Sequence, residues 1–127
     1  METIHFCHFA TDVFAIQKIT NDANAKLPAA WPLGNDGSVG AAVKFVNASS
    51  DGMVLDCAGN LYTTNANQAT VDIYSPAGMK IGSVTGVGSC TNVAFGGANR
   101  KTLYITSSAG PSPAVYSAEL AVPGFPY

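Results

Sequence analysis

Charge is scarce in this sequence: of 127 residues, 6 are Lys or Arg and 8 are Asp or Glu, for a net charge of -2. No basic stripe exists to follow a phosphate backbone, so nucleic acid is not an expected partner. Long hydrophobic runs are missing too, since no stretch approaches the roughly 20 apolar residues that span a bilayer. The first fifteen residues carry Glu2, His5, His8 and Asp12, where a signal peptide would have a basic start and an apolar stretch. The expectation is a chain that starts near Met1, has no membrane partner and works in the cytoplasm. Cysteine is sparse: Cys7, Cys57 and Cys90 are widely spaced and contain no C-x-x-C pair, which argues against a disulfide framework or a zinc knuckle and for a reducing compartment. Asn47-Ala48-Ser49 is a glycosylation sequon that bears only on a secreted chain. The length fits a single domain over residues 1–127, large enough to bury a usable core.

What is present is alternation. Apolar residues alternate with polar or small ones at Ile4 to Phe9, Val13 to Ile19, Ala42 to Val46, Met53 to Asp56, Leu61 to Thr64, Thr70 to Tyr74, Lys80 to Thr85, Asn92 to Phe95, Thr102 to Thr106 and Val115 to Leu120. Each reads as a short strand, so the chain is expected to be all-β. Between them stand Asp51-Gly52, Ala58-Gly59-Asn60, Ser75-Pro76-Ala77-Gly78, Gly96-Gly97 and Gly110-Pro111, where glycine supplies positive φ and proline presets the turn. The one long break, Thr20 to Gly40, contains Pro28 and Pro32 and reads as a loop excursion around Trp31.

An internal repeat narrows the architecture. "MVLDCAGNLYTTNANQATVDIYSP" and "VAFGGANRKTLYITSSAGPSPAVYSAEL" share one plan: apolar strand, polar turn, Leu-Tyr strand, loop, then a strand with Val and Tyr. The pairs Leu61-Tyr62 and Leu103-Tyr104 lie 42 residues apart. Four short strands per period of 40 to 45 residues mark a β-propeller blade. A β-sandwich with two similar hairpins is the alternative. The most complete blade is expected to run from Met53 to Thr85.

The run "SSDGMVLDCAGNLYTTNANQATVDIYSPAGMKIGSVTGVGSCTNVAFGGANRKTLYIT" resembles the C-terminal part of the senescence-marker-protein (regucalcin) and gluconolactonase family. The likeness is carried by the Asp-Gly-Met-x-x-Asp-x-x-Gly-Asn-Leu-Tyr motif from Asp51 and by the Asn-x-x-Phe-Gly-Gly motif from Asn92, which leads into Thr-Leu-Tyr-Ile-Thr. The convincing match covers Asp51 to Thr106. It implies about half of a six-bladed β-propeller of four-stranded antiparallel blades, here two and a half to three of them. It also implies hydrolysis of sugar lactones or related esters with a divalent metal, calcium or zinc, that polarises the lactone carbonyl. Asp51 matches the family's carboxylate, as metal ligand and catalytic group, and Asn92 is the expected substrate-binding residue. The family's remaining ligands come from a glutamate of the first blade and asparagines of the middle blades, and nothing around Glu2 matches that first-blade motif. A truncated chain of this kind is expected to hydrolyse a lactone weakly or not at all. The alternative function is a noncatalytic propeller remnant that binds a small molecule or a protein.

Other motifs fail on geometry. "GGANRKT" lacks the lysine spacing of a phosphate-binding loop and leads into a strand. On a strand, "HFCH" sends His5 and Cys7 to one face and Phe6 and His8 to the other, so it gathers no metal site. "DGSVG" lacks the spacing of a nucleophile elbow and reads as a turn. An open arc of blades leaves the edges Ile4 to Phe9 and Val115 to Leu120 as templates for strand pairing, so a homodimer is expected.

Overall fold

The computed structural model describes residues 14–18, 28–32, 36–41, 43–44, 46, 50–108 and 113–125. Its regular structure is all β. The strands are β1 (Phe14–Lys18), β2 (Pro28–Pro32), β3 (Val43–Lys44), β4 (Met53–Leu55), β5 (Leu61–Asn65), β6 (Thr70–Tyr74), β7 (Lys80–Val84), β8 (Cys90–Gly96), β9 (Thr102–Ser107) and β10 (Ala114–Glu119). They pair antiparallel in three sheets, ordered β1-β2-β3, β4-β5-β6-β7 and β10-β9-β8. The four-stranded sheet is the blade expected over Met53 to Thr85. The strand expected at Ile4 to Phe9 lies outside the described residues.

One segment departs from the sequence reading. Within the supposed excursion from Thr20 to Gly40, β2 pairs with both neighbours. Its prolines made it look irregular, because proline cannot donate to a ladder. In the observed register they sit at its two ends, Pro28 opposite Lys18 and Pro32 opposite Phe14. The partner β3 reaches only Ala29 and Ala30.

The four-stranded sheet and the β10-β9-β8 sheet pack face to face. Val54, Tyr62 and Val71 from β4–β6 meet Cys90, Val93, Leu103 and Ile105 from β8–β9, with Val87 from the connecting segment. Burying each of the larger side chains contributes roughly 1.5–3 kcal/mol. Phe95 meets the Tyr62 ring edge-on at a centroid distance of 5.2 Å. The repeat makes Tyr62 and Tyr104 equivalent, yet Tyr62 is 4% exposed and Tyr104 43%. The first has a neighbouring blade over it, and the second lies on the outward face beside Val115, which is 68% exposed.

A buried carboxylate organises the hairpin that carries this contact. Asp56, fully buried, accepts the backbone N–H groups of Ala58 (2.8 Å) and Asn60 (2.9 Å) on Oδ1. Its Oδ2 accepts Asn60 Nδ2 (2.8 Å) and the Tyr62 hydroxyl (3.1 Å). Burial, together with the Asp56 charge and hydrogen bond, pushes the Tyr62 hydroxyl well above its ordinary pKa, so it stays a donor.

The C-terminal segment then ties the two sheets together. Leu120 and Gly124 donate to the carbonyls of Lys101 (2.9 Å) and Arg100 (2.7 Å), while Phe125 donates to Leu55 (3.0 Å) and Cys57 donates to Pro123 (2.8 Å). A Cβ on Gly124 would overlap the Phe95 ring, so only glycine lets the strap lie this close.

On the opposite face of the four-stranded sheet, buried Asp72 gathers a second polar set. Its Oδ1 accepts Thr70 Oγ1 (2.9 Å), Ser83 Oγ (2.8 Å) and Lys80 Nζ (2.9 Å), and its Oδ2 accepts Asn65 Nδ2 (3.1 Å). Burial alone would raise the Asp72 pKa, but the bonds from Lys80, Asn65, Ser83 and Thr70 outweigh it and hold the carboxyl below its ordinary value.

Asp72→Asn is therefore expected to cost about 1–3 kcal/mol at neutral pH, because several donors lose their acceptor in a buried site. The depressed value gives the sign with pH. Asp72's contribution is fully present above its unfolded pKa of about 3.9 and is lost as pH falls through the lower folded value. Thermal melts from neutral pH to about pH 2 should show the gap between wild type and variant narrowing with acid; a gap of constant size would contradict the assignment.

Candidate functional site

β4 and β8 begin, and β5 and β9 end, on the same side of the molecule. The strand ends there leave a cleft of about 330 Å³, at the small end of the range for small-molecule sites. Ser50 and Asp51 line it from the approach to β4, Thr64 to Asn67 from the end of β5 and its turn, Ser89 to Thr91 from the start of β8, and Ser108 from beyond β9. Its polar chemistry is hydroxyl and carboxamide with one carboxylate; no lysine, arginine or aromatic residue lines it. Such a surface suits a neutral, hydroxyl-rich ligand.

The backbone around Asp51 is fixed by a buried hydroxyl. Thr64 Oγ1 accepts the N–H groups of Asp51 (3.1 Å) and Gly52 (2.9 Å). The Gly52 carbonyl accepts Thr64 N–H (3.0 Å) and Ser50 Oγ (2.8 Å). Asp51 itself is exposed at the cleft. Gly52 is buried, and a Cβ there would stand 2.6 Å from Asn92 Cα. Asn92 thus lies directly behind the Asp51-Gly52 pair, with its amide oxygen accepting Val93 N–H (2.9 Å), and is not among the residues that line the cleft.

Sequence reading missed Ser50, Thr64, Asn65, Asn67, Ser89, Thr91 and Ser108. Serine, threonine and asparagine at strand ends look like turn chemistry. The repeat offered one signal, because Thr64-Asn65 and Thr106-Ser107 occupy equivalent strand ends 42 residues apart.

The other reactive groups are withdrawn. Cys90 is fully buried, its S–H donates to the Thr70 carbonyl (2.9 Å), and burial pushes its thiol up, which leaves it inert as a nucleophile. Cys57 is disulfide-bonded, which goes against the reading of the cysteine spacing as that of a reducing compartment; sequence spacing carries no information on which cysteines folding brings within bonding range. His5, Cys7 and His8 lie outside the described residues. Among the described residues no group of three His, Cys, Asp or Glu side chains gathers to hold a metal ion. Calcium takes six to eight oxygen ligands, so the described cleft, with Asp51 as its one carboxylate, does not fit such an ion. Among the described residues no helix is long and apolar enough to cross a membrane.

A family model described as the SMP-30/gluconolactonase/LRE-like region matches residues 14–109, extending the likeness well ahead of Asp51. Among solved structures, the chain is similar to a candidate gluconolactonase, with 21% identity and a TM-score of 0.71 over 91% of this chain and 37% of that one. It is similar to a gluconolactonase from Xanthomonas campestris, with 20% identity and a TM-score of 0.60 over 79% and 31%. It also resembles the calcium-binding protein regucalcin from Agrobacterium tumefaciens strain C58, with 21% identity and a TM-score of 0.61 over 77% and 39%. The chain therefore spans under half the length of these structures. No curated protein matches it. The likeness establishes the fold as part of a β-propeller whose antiparallel sheets are its blades.

Because Asn92 Cα stands behind Gly52, Gly52→Ala is expected to destabilise the chain by about 1–3 kcal/mol through overpacking. Chemical denaturation checks it. A change under about 0.5 kcal/mol would mean that the backbone has room to spare at this position.

Proposed function

The chain belongs to the SMP-30/gluconolactonase/LRE-like family, and on that premise we propose that it is part of a lactone or ester hydrolase that uses the cleft beside Asp51. One observation carries this reading: the carboxylate of the family-like Asp-Gly-Met motif stands at a polar cleft formed by strand ends. A lactone opens when water adds to its carbonyl carbon, and a carboxylate within reach removes the water's proton. Asp51 is the proposed proton acceptor. The hydroxyls of Ser89, Thr91 and Ser108 and the amides of Asn65 and Asn67 supply hydrogen bonds to a sugar-like substrate. Asn92 acts indirectly in this proposal, by fixing the backbone next to Asp51.

Calcium or zinc enters only as a shared ion. Asp51 would supply one ligand to it, and the others would have to come from outside the described cleft. The single carboxylate also favours a second reading, in which the cleft binds a hydroxyl-rich small molecule without converting it.

Self-association is part of the proposal. β10 ends its sheet, with no strand beside it among the described residues, and exposes Val115 and Tyr116. Such an edge pairs readily with another copy across a two-fold axis.

The isolated chain is expected to hydrolyse gluconolactone slowly and to bind calcium on the order of millimolar or weaker. Asp51→Ala should lower any hydrolysis by about 10²–10⁴-fold, the usual worth of a positioned general base. Stopped-flow pH-indicator assays and calorimetry measure both. Turnover that survives the substitution rules out Asp51, and no turnover with retained binding of a sugar supports the second reading. Light scattering on a gel-filtration column tests association, and a species of 13.0 kDa at all micromolar concentrations excludes the dimer.

A further inference from the structure

The sequence contains two Asp-Gly pairs, Asp36-Gly37 and Asp51-Gly52, and the structure treats them in opposite ways. Among aspartyl dipeptides Asp-Gly is the most prone to isoaspartate formation, because glycine offers no side chain to hinder attack on the aspartyl group. The Gly nitrogen bonds to the Asp Cγ, the carboxyl oxygen departs as water and the amide proton passes to solvent. Water then opens the succinimide at either carbonyl, and opening at the original backbone carbonyl routes the main chain through the side-chain carbon. At Asp51 that change would insert a methylene into the approach to β4 and move the carboxylate.

We propose that Thr64 protects Asp51 from this reaction, acting as a positioning residue whose hydroxyl holds the Gly52 amide away from the Asp51 carboxyl. Thr64 is 1% exposed, and its Oγ1 accepts both the Asp51 and the Gly52 N–H groups. Its hydroxyl hydrogen in turn points to the Gly52 carbonyl at 3.3 Å. Ring closure requires the Gly52 amide to leave this acceptor and Gly52 to turn, and Asn92 occupies the space behind Gly52. Hydroxyl and asparagine together block both movements.

Asp36-Gly37 has neither restraint. Residues 36 to 41 are exposed, a Cβ on Gly37 would meet nothing within 4 Å, and among the described residues the Gly37 amide has no hydrogen-bond acceptor of the kind that holds Gly52. The Asp36 carboxylate accepts Ser38 N–H (2.9 Å), which is a local turn contact at the surface. The two pairs differ in environment within one molecule, so Asp36 serves as an internal reference for Asp51.

The importance of protecting Asp51 rests on its role in the proposed hydrolase, but the test does not, since it reads the chemistry of the peptide bond and no turnover. The intact chain is incubated at neutral pH and body temperature, and isoaspartate is located by proteolysis and electron-transfer mass spectrometry. In the wild type it should accumulate at Asp36 and lag far behind at Asp51, and in denaturant the two sites should converge. Thr64→Val, which keeps the shape and deletes the hydroxyl, should speed the reaction at Asp51 several-fold and leave Asp36 unchanged. Thr64→Ser should restore the wild-type rate. Ser50→Ala, which removes a bond to the Gly52 carbonyl but none to its amide, should stay near wild type. A folded Thr64→Val chain that reacts at the wild-type rate overturns the proposal, and so does equal acceleration by Ser50→Ala. If Thr64→Val does not fold, hydrogen exchange in the wild type decides. A Gly52 amide protected like those of β5 supports the clamp, and exchange at the free-peptide rate overturns it.

Discussion

The buried carboxylate of Asp56 is the constraint on which the rest of this arrangement depends. A polar group buried away from water is tolerated only when it is hydrogen-bonded, and here a five-residue turn closes around it, with Ala58 and Asn60 giving backbone donors and Asn60 and Tyr62 giving side-chain donors. Because Tyr62 is anchored through its hydroxyl, its ring has one place to go, edge-on to Phe95. Phe95 in turn leaves room above it only for a glycine, and Gly124 closes the strap there. A polar demand at one turn thus fixes an aromatic contact between blades and the path of the C-terminal segment.

The same hairpin works at its other end. With β4 and β5 locked together at the Asp56 turn, Thr64 is delivered opposite Gly52, and its hydroxyl holds the backbone on which Asp51 stands. The backbone that carries Asp51 is therefore positioned by strand pairing, as sites that need accurate placement usually are.

Much of this was legible in the sequence. The strands from Met53 onward follow from alternation, and the Leu-Tyr repeat exposed the blade period. The Asp-Gly-Met and Phe-Gly-Gly motifs pointed to the family whose model the chain matches. Strand β2 was hidden because proline argues against a ladder, and only the register reveals that Pro28 and Pro32 stand at its ends. The cleft was hidden for a different reason. Its hydroxyls and amides are the residue types that turns also favour, and no local pattern separates a serine that caps a turn from one that faces a ligand. Nor does sequence spacing tell that Asn92 packs behind Gly52, since that contact depends on how two sheets meet.

The unequal fates of Tyr62 and Tyr104 have a thermodynamic consequence. Two residues in the same place of the same repeat differ only in whether another sheet lies over them, so the fold leaves part of its apolar surface outstanding at Tyr104 and Val115. Anything that covers that surface in the folded state and ignores the unfolded chain adds stability by mass action, in proportion to the logarithm of its concentration once it is in excess. The resistance of this chain to heat is for that reason a property of the solution around it as well as of its sequence.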